Sequence, residues 1–314
     1  MNLLDQMKKY TVMVADTGDF ERIQVYQPKD ATTNPTLILR AAKLPAYQNM
    51  IEEVKANFTD TSLNDRMDQL LVRFGMEILK VVPGRVSTEI DAELSFNIED
   101  SVTRARKIID LYKKYEVSKD RVLIKIAATW EGIQSAKILE AEGIHCNLTL
   151  VFNLAQAVAC AQANVKLISP FVGRITDWHK NSQGTNWNAA AMSGSNDPGV
   201  QSVKTIYHYL KHHDFKTEIM GASFRNIAQI TALAGCDLLT ISPELLEELK
   251  NTQGEVKEQL SFLTAKNMNM TPINVDEKSF RQLMSDDPMA SEKLAEGIHN
   301  FKKDTDLLAE LLAS

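Results

Sequence analysis

The chain has 314 residues, of which 44% are hydrophobic and 24% are charged, so it is able to bury a full hydrophobic core. This composition excludes a mainly disordered chain and a small protein held together by disulfides. Its 35 basic and 41 acidic residues give a net charge of −6, which argues against a surface built to bind nucleic acid or an anionic membrane.

The cysteines and the first residues of the chain bear on its compartment. Cys146, Cys160 and Cys236 form no CxxC pair, so neither a disulfide framework nor a zinc site is predicted. The opening residues show no signal peptide, and no apolar run approaches the roughly 20 residues of a membrane span. We therefore predict a cytoplasmic protein without a metal or a membrane partner.

Short apolar or β-branched runs alternate with longer stretches of helical periodicity, a pattern that indicates parallel strands joined by helices. In chain order the predicted strands cover residues 11–16, 30–33, 85–90, 121–127, 144–151, 166–171, 217–223 and 237–242. Eight such units predict an α/β fold of the (β/α)₈ TIM-barrel type. A doubly wound parallel sheet is the alternative.

Extra helices are predicted at two places in this pattern. Residues 45–57 and 62–81 lie between the second and third strands, and residues 279–285 and 289–312 follow the last strand. Residues 10–242 are therefore expected to form the barrel and residues 243–314 to add helices to it, within one domain of residues 1–314. Residues 181–199, rich in Asn, Ser and Gly, predict a loop after the sixth strand, which is either a mobile lid or a surface insertion.

The fourth predicted strand carries the most informative residue. Residues 122, 124 and 126 face one side of this strand and residues 123, 125 and 127 the other, which places Lys125 inside the barrel. Burial favours the neutral amine that a Schiff-base nucleophile requires. An inward lysine that only pairs with a carboxylate is the structural alternative.

Polar side chains on neighbouring strands favour catalysis over that alternative. They converge on the carboxyl ends of the strands, the end that carries the active site in barrel enzymes. These side chains are Asp16, Ser87, Glu89, His145, Asn147, Thr149 and Ser169. Burying so much polarity for stability alone is costly, so the pattern predicts an active site.

Two arginines follow the ends of the sixth and seventh predicted strands. Arg174 comes directly after Gly173, and Arg225 follows Ser223 at the start of the next helix. A guanidinium beside a helix N-terminus suits a phosphate group, although each arginine alone could be a surface cap. Together they predict a phosphorylated substrate.

Two motifs resemble those of the transaldolase family, the class I Schiff-base enzymes of the non-oxidative pentose phosphate pathway. Residues 30–37, Asp-Ala-Thr-Thr-Asn-Pro-Thr-Leu, are similar to the T-[ST]-N-P signature, and residues 122–133 are similar to the lysine signature. Residues 14–19, 87–92, 146–150 and 168–174 extend the resemblance over nearly the whole chain. Asn34 and Pro35 also fit the start of a helix, as its N-cap and first residue.

The resemblance implies a mechanism and a role for each residue. Lys125 would form the Schiff base with C2 of a ketose phosphate, Asp16 would take the C4 hydroxyl proton, and Glu89 with Thr149 would hold a water that relays protons. The implied substrate-binding residues are Thr32, Asn34, Asn147, Ser169 and Phe171, and the implied phosphate-binding residues are Arg174, Ser223 and Arg225.

The implied reaction transfers a dihydroxyacetone unit. The donor would be sedoheptulose 7-phosphate or fructose 6-phosphate, and the acceptor glyceraldehyde 3-phosphate or erythrose 4-phosphate. No metal or organic cofactor is implied, because the lysine itself is the electron sink. The resemblance also implies a homodimer.

Two other functions are weighed against transfer. Fructose 6-phosphate aldolases, which release the three-carbon unit, look shorter and carry tyrosine at the position of Phe171 and glutamine at that of Glu89. The missing phenolic hydroxyl favours transfer. A catalytically silent barrel that binds sugar phosphate predicts loss of Lys125, Asp16 or Glu89, and all three are present.

Overall fold

The computed structural model of the chain describes residues 1–58 and 61–313, and it contains a closed barrel of parallel strands. Residues 59, 60 and 314 of the predicted domain lie outside these ranges. The strands, each paired with the next and β8 paired with β1, are β1 (Val12–Asp16), β2 (Asp30–Thr32), β3 (Val86–Glu89), β4 (Val122–Ala127), β5 (Cys146–Val151), β6 (Leu167–Pro170), β7 (Glu218–Gly221) and β8 (Leu238–Ile241). Each lies within a predicted run, and the predicted (β/α)₈ fold is confirmed.

Helices surround this barrel. The α-helices are α1 (Leu3–Met7), α2 (Phe20–Ile23), α3 (Pro35–Ala42), α4 (Gln48–Asn57), α5 (Leu63–Val81), α6 (Ile98–Lys114), α7 (Trp130–Ala141), α8 (Leu154–Gln162), α9 (Gly173–Gln183), α10 (Pro198–His212), α11 (Ile227–Thr231), α12 (Pro243–Asn251), α13 (Phe262–Lys266), α14 (Glu277–Ser285) and α15 (Pro288–Ala313). Short 3₁₀ turns lie at Gln24–Tyr26, Pro45–Tyr47, Ala92–Phe96, Lys119–Arg121, Gly184–Asn186 and Gly194–Asn196.

The extra helices occur where they were predicted, and the helix start predicted at Asn34 and Pro35 is confirmed. The predicted segment 45–57 is a 3₁₀ turn followed by α4, and segment 62–81 is α5, whose N-cap Ser62 forms a capping box with Asp65. Between β2 and β3 there is a further helix, α3. Its N-cap is Asn34, whose Oδ1 accepts a hydrogen bond from the Leu37 N–H at 2.9 Å, and Pro35 is its first residue.

The alternation of side chains along the strands determines what lies inside the barrel. Leu123 packs with inward residues of other strands, Val14, Leu167, Met220 and Leu238, in a small apolar cluster within the barrel. Ile124 and Ile126 belong instead to the large core between the strands and the helices. Lys125 is therefore directed inward above an apolar floor.

The amino-terminal end of the barrel contains a network of ion pairs. Arg85 Nη2 lies 2.8 Å from both Asp30 Oδ2 and Glu218 Oε2, and Lys166 Nζ lies 3.0 Å from Glu218 Oε1. The side chain of Asp30 is 6% exposed, so its charge requires this compensation. This end of the barrel is built from mutually paired charges.

Helix α15 runs across the carboxyl-terminal end of the barrel and packs on α3, α5 and α9. Thr36 of α3 donates a hydrogen bond to Asp304, and Trp178 Nε1 of α9 donates one to Glu292 Oε2 at 2.7 Å. At Gly297 an added Cβ would meet Leu150 Cδ2 at 2.6 Å, so the helix lies directly against β5. These contacts place the ring of Phe301 over the strand ends.

The predicted loop 181–199 is shorter in the structure than in the prediction. Helix α9 extends to Gln183 and α10 begins at Pro198, with the N-cap Asp197 accepting hydrogen bonds from the N–H groups of Gly199 and Val200. At Gly199 an added Cβ would approach the Val172 carbonyl oxygen to 2.1 Å. The loop therefore returns to the carboxyl end of β6.

Candidate active site

Lys125 and Glu89 form a buried ion pair at the centre of the barrel. The register of β3 and β4 places them side by side, and Lys125 Nζ lies 2.9 Å from Glu89 Oε2. The same ammonium donates a hydrogen bond to the Thr33 carbonyl oxygen at 2.9 Å. Both residues are 5% exposed, so the amine and the carboxylate beside it are largely shielded from bulk solvent.

Asp16 lies at the end of β1 in a short chain of hydroxyl groups. Thr32 Oγ1 donates a hydrogen bond to Asp16 Oδ1 at 2.9 Å, and Thr32 Oγ1 is 2.6 Å from Thr240 Oγ1. The register of β1 and β2 pairs Asp16 with Thr32, which explains this contact. The hydroxyl groups orient the carboxylate without neutralising its charge.

Burial dominates the electrostatics of both carboxyl groups. It raises the pKa of Asp16 above its ordinary value, although Lys125, the hydrogen bond from Thr32 and Arg174 oppose the change. It likewise raises the pKa of Glu89, with Lys125 and Arg174 again opposing. A carboxyl group with a raised pKa accepts a proton more readily than an ordinary carboxyl group, which suits it to proton transfer.

The inward residues of β5 and β6 differ in their access to the cavity. Thr149 Oγ1 is buried and has no hydrogen-bond partner among the described residues. Asn147 is fully buried: its Nδ2 donates to Ser87 Oγ at 3.0 Å and its Oδ1 accepts from Ser169 Oγ at 2.6 Å. His145, expected on the same face, precedes β5 and contacts Glu140 of α7 instead, 2.8 Å from Nδ1 to Oε2.

Two guanidinium groups lie beyond the lysine. Arg174 stacks near Phe171 and Phe301, with its Cζ 5.0 and 5.4 Å from the ring centroids, and its buried Nη1 has no hydrogen-bond partner among the described residues. Burial and the neighbouring Arg225 lower the pKa of Arg174, so an anion here would be stabilising. Arg225 Nη1 also donates to Ser223 Oγ at 3.4 Å.

Backbone strain accompanies the arginine pair. Ser223 has φ +63°, in the left-handed region that non-glycine residues seldom adopt. Its carbonyl oxygen accepts a hydrogen bond from Gly173 N–H at 2.5 Å, which ties the ends of β6 and β7 together. Strain of this kind is found where a functional geometry is imposed on the chain.

A single cavity of about 270 Å³ brings most of the predicted residues together. Those that line it are Asp16, Thr32, Asn34, Lys125, Thr149, Ser169, Phe171, Arg174, Ser223 and Arg225. Glu89 and Asn147 lie behind this wall, in contact with Lys125 and Ser169 respectively. Lysine, carboxylate and arginines thus share one concave site at the catalytic end of the barrel.

The cavity also includes residues that were not predicted. Thr240 and Ser242 could have been found, because they share the inward face of the eighth predicted strand. Arg40 lies on α3, whose start at Asn34 and Pro35 was predicted, but the arginine itself was not expected in the site. Phe301 belongs to α15, and the sequence did not indicate that it lines the site, because an apolar residue on a helix is usually part of the hydrophobic core.

None of the described residues in 181–199 lines the cavity, so their role as a lid stays a prediction.

Within residues 1–58 and 61–313, no cluster of three His, Cys, Asp or Glu side chains is arranged to hold a metal ion. No helix of the described chain has the length and apolarity needed to cross a membrane.

A closed (β/α)₈ barrel with a lysine, two carboxylates and two arginines at the carboxyl ends of its strands has the architecture of a barrel enzyme. A family model described as transaldolase/fructose-6-phosphate aldolase matches residues 13–312. The chain belongs to this family, which consists of transaldolase and aldolase enzymes. The pathway, the compartment and the homodimer implied by the resemblance stay predictions.

Proposed function

We propose that the protein is a transaldolase, which transfers a dihydroxyacetone unit from a ketose phosphate to an aldose phosphate through a Schiff base on Lys125. The observation that carries the proposal is the Lys125–Glu89 contact of 2.9 Å, in a site whose cavity is also lined by Asp16 and three arginines. Nucleophile, proton donor and anion-binding groups are then all within reach of one substrate.

The first step joins substrate and enzyme. Glu89 first accepts a proton from the Lys125 ammonium, and the neutral amine adds to C2 of the ketose to form a carbinolamine. Glu89 then donates that proton to the departing hydroxyl group, which leaves as water, and the nitrogen carries the positive charge. The product is an imine between Nζ and C2. The buried Thr149 hydroxyl, which lines the same cavity, would hold that water beside Glu89.

The second step breaks the carbon chain. Asp16 takes the proton of the C4 hydroxyl, the C3–C4 bond breaks, and its electron pair flows into the imine to give an enamine on Lys125. The aldose phosphate departs. An acceptor aldehyde then receives the electron pair from C3, and Asp16 returns its proton to the new hydroxyl group, so the step runs in reverse with a different aldehyde.

The remaining residues hold the substrate along the cavity. Asn34 and Ser169, with Asn147 behind them, are proposed to bind the hydroxyls of the three-carbon unit, and Thr32 to orient Asp16. Arg174, Ser223 and Arg225 would hold the phosphate at the far end. Forked guanidinium donors are well suited to phosphate oxygens.

Transfer is favoured over release of the three-carbon unit by the apolar side of the site. Phe171 packs on Phe152, with ring centroids 5.4 Å apart, and beneath Arg174. Phe301 covers the cavity from α15. These rings offer no hydroxyl group that could orient water to protonate the enamine, so the enamine would persist until an aldehyde arrives.

The deciding experiment is reductive trapping. The protein is incubated with fructose 6-phosphate and borohydride, and the adduct is located by intact mass and peptide mapping. We expect a reduced three-carbon adduct on Lys125, and transfer to an added aldose phosphate that is faster than release of free dihydroxyacetone. No adduct on the folded protein would favour a silent sugar-phosphate-binding barrel, and predominant release would identify an aldolase.

A further inference from the structure

A second cavity, of about 180 Å³, lies between α5, α6, α15 and the segment that follows β3. Its lining changes from one end to the other. Asn64, Glu93 and Asp306 are exposed at its outer end, whereas Glu89, at its inner end, is 5% exposed. The cavity therefore extends from the protein surface to the catalytic carboxyl group.

The two cavities meet across one ion pair. Lys125 lines the first cavity and Glu89 lines the second, and 2.9 Å separates Nζ from Oε2. The substrate would approach the amine from one side of this pair. The carboxyl group is adjacent to a separate space on the other side.

The charges around the two cavities are opposite in sign. Arg40, Arg174 and Arg225 line the first cavity, while Asp91, Glu93 and Asp306 line the second, which has Arg104 on one wall. A sugar phosphate is attracted to the first and repelled from the second. Water is neutral, and several molecules fit the volume of the second cavity, whose polar lining can hydrogen-bond them.

We propose that the second cavity is the route by which water and protons reach and leave Glu89 while substrate fills the first cavity. The inference rests on the proposed Schiff-base chemistry. Imine formation converts a ketone and an amine into an imine and one water, and hydrolysis consumes one water at the same carbon. A ketose phosphate seated between Lys125 and the arginines blocks the front of the site, so this water leaves and enters behind Glu89.

An oxygen-exchange experiment tests the route. Fructose 6-phosphate labelled with ¹⁸O at C2 is incubated with the protein, and label loss to solvent is compared with imine formation, which is measured by borohydride trapping. Lys125→Met measures exchange that does not depend on the amine. Ala309→Leu and Leu71→Phe each fill the second cavity from a different wall, and Leu307→Phe adds bulk to an exposed position of α15 outside it.

In both filled variants we expect label loss per imine formed to fall by about fivefold, because the trapped water returns to the carbon it left. The Leu307→Phe variant should exchange like the unmodified protein. The route is overturned if a folded variant with a filled cavity loses label per imine at the same rate as the unmodified protein. It is also overturned if such a variant no longer forms the imine, because a blocked water exit does not prevent the attack of the amine at C2. A missing Lys125 adduct in the unmodified protein is a different result, which overturns the proposed function.

Discussion

The two ends of the barrel both bury charged side chains, but they compensate those charges in different ways. At the amino-terminal end, Arg85 contacts Asp30 and Glu218, and Lys166 contacts Glu218. Burial alone would raise the pKa of Glu218, but Arg85 and Lys166 outweigh it and lower that pKa. The pKa of Arg85 is raised, because Asp30 and Glu218 outweigh its burial.

At the carboxyl-terminal end burial outweighs pairing. The pKa values of Asp16 and Glu89 are raised although Lys125 is their neighbour, and that of Arg174 is lowered. The Thr149 hydroxyl also has no hydrogen-bond partner among the described residues. Charges that stabilise a fold are matched within the protein, whereas charges left partly unmatched are available to a substrate.

Replacing Lys125 and Lys166, one at each end of the barrel, should show the largest difference between a catalytic charge and a structural one. Lys125→Met removes the nucleophile, and we expect transfer activity to fall by about 10⁴-fold or more, with no borohydride adduct. The matched variant Lys166→Met removes a charge at the other end, and its activity should remain within about twofold. Steady-state rates of both proteins, corrected for folded fraction, measure the contrast. Comparable losses in the two variants would contradict it.

Asp16→Asn should stop the reaction at a defined point. The amide cannot take the C4 proton, so cleavage should slow by about 10³-fold, within the usual range for loss of a general base. Imine formation requires only Lys125 and Glu89, so borohydride should then trap a six-carbon adduct. Intact mass distinguishes it from the three-carbon adduct. A three-carbon adduct formed at the normal rate would exclude Asp16 as the base.

Arg85→Met should reduce stability and leave activity intact, the reverse of the active-site substitutions. It leaves Asp30 and Glu218 without their shared partner, and we expect the free energy of unfolding to drop by about 3 kcal/mol, as for other broken buried pairs. Transfer activity per folded molecule should be retained. Urea denaturation and rates measured below the transition test this. A loss of activity without a loss of stability would mean that the two ends are coupled.

The strand-borne part of the site was predictable because the side-chain period of a strand is two residues. That rule placed Lys125, Glu89 and Thr149 on one inward face, and the structure brings Lys125 and Glu89 into contact. The two-residue period predicts which side of the strand a side chain faces, but it does not predict whether that side chain reaches the cavity. It therefore did not show that Asn147 lies behind Ser169, out of the cavity.

Other parts of the site depend on packing between distant segments. Phe301 reaches the cavity because hydrogen bonds from Thr36 and Trp178 hold α15 in place. No local sequence pattern predicts these contacts between distant segments. The φ of +63° at Ser223 was equally hidden, since left-handed backbone is expected at glycine rather than serine. The second cavity behind Glu89 arises from the packing of α5 against α15 and has no counterpart in a strand pattern.

The pH dependence of stability should distinguish the two ends by its sign. Asp16 has a raised pKa in the folded state, so below the pKa of the unfolded chain it is protonated in both states and carries no ionisation penalty. As pH rises through the unfolded and then the folded pKa, ionisation increasingly favours the unfolded chain. Asp16→Asn should therefore raise Tm at pH 7, on the order of 2–4 °C, and leave it unchanged near pH 3.

Glu218 supplies the matched test, because its pKa is lowered in the folded state. Its contribution to stability is present above the unfolded pKa and is lost as pH falls through the folded pKa. Glu218→Gln should therefore lower Tm at pH 7 and have its smallest effect in acid. Thermal melts of both variants across this pH range make the comparison. If the two substitutions changed Tm at pH 7 in the same direction, the two ends of the barrel would not differ in how their buried charges are compensated.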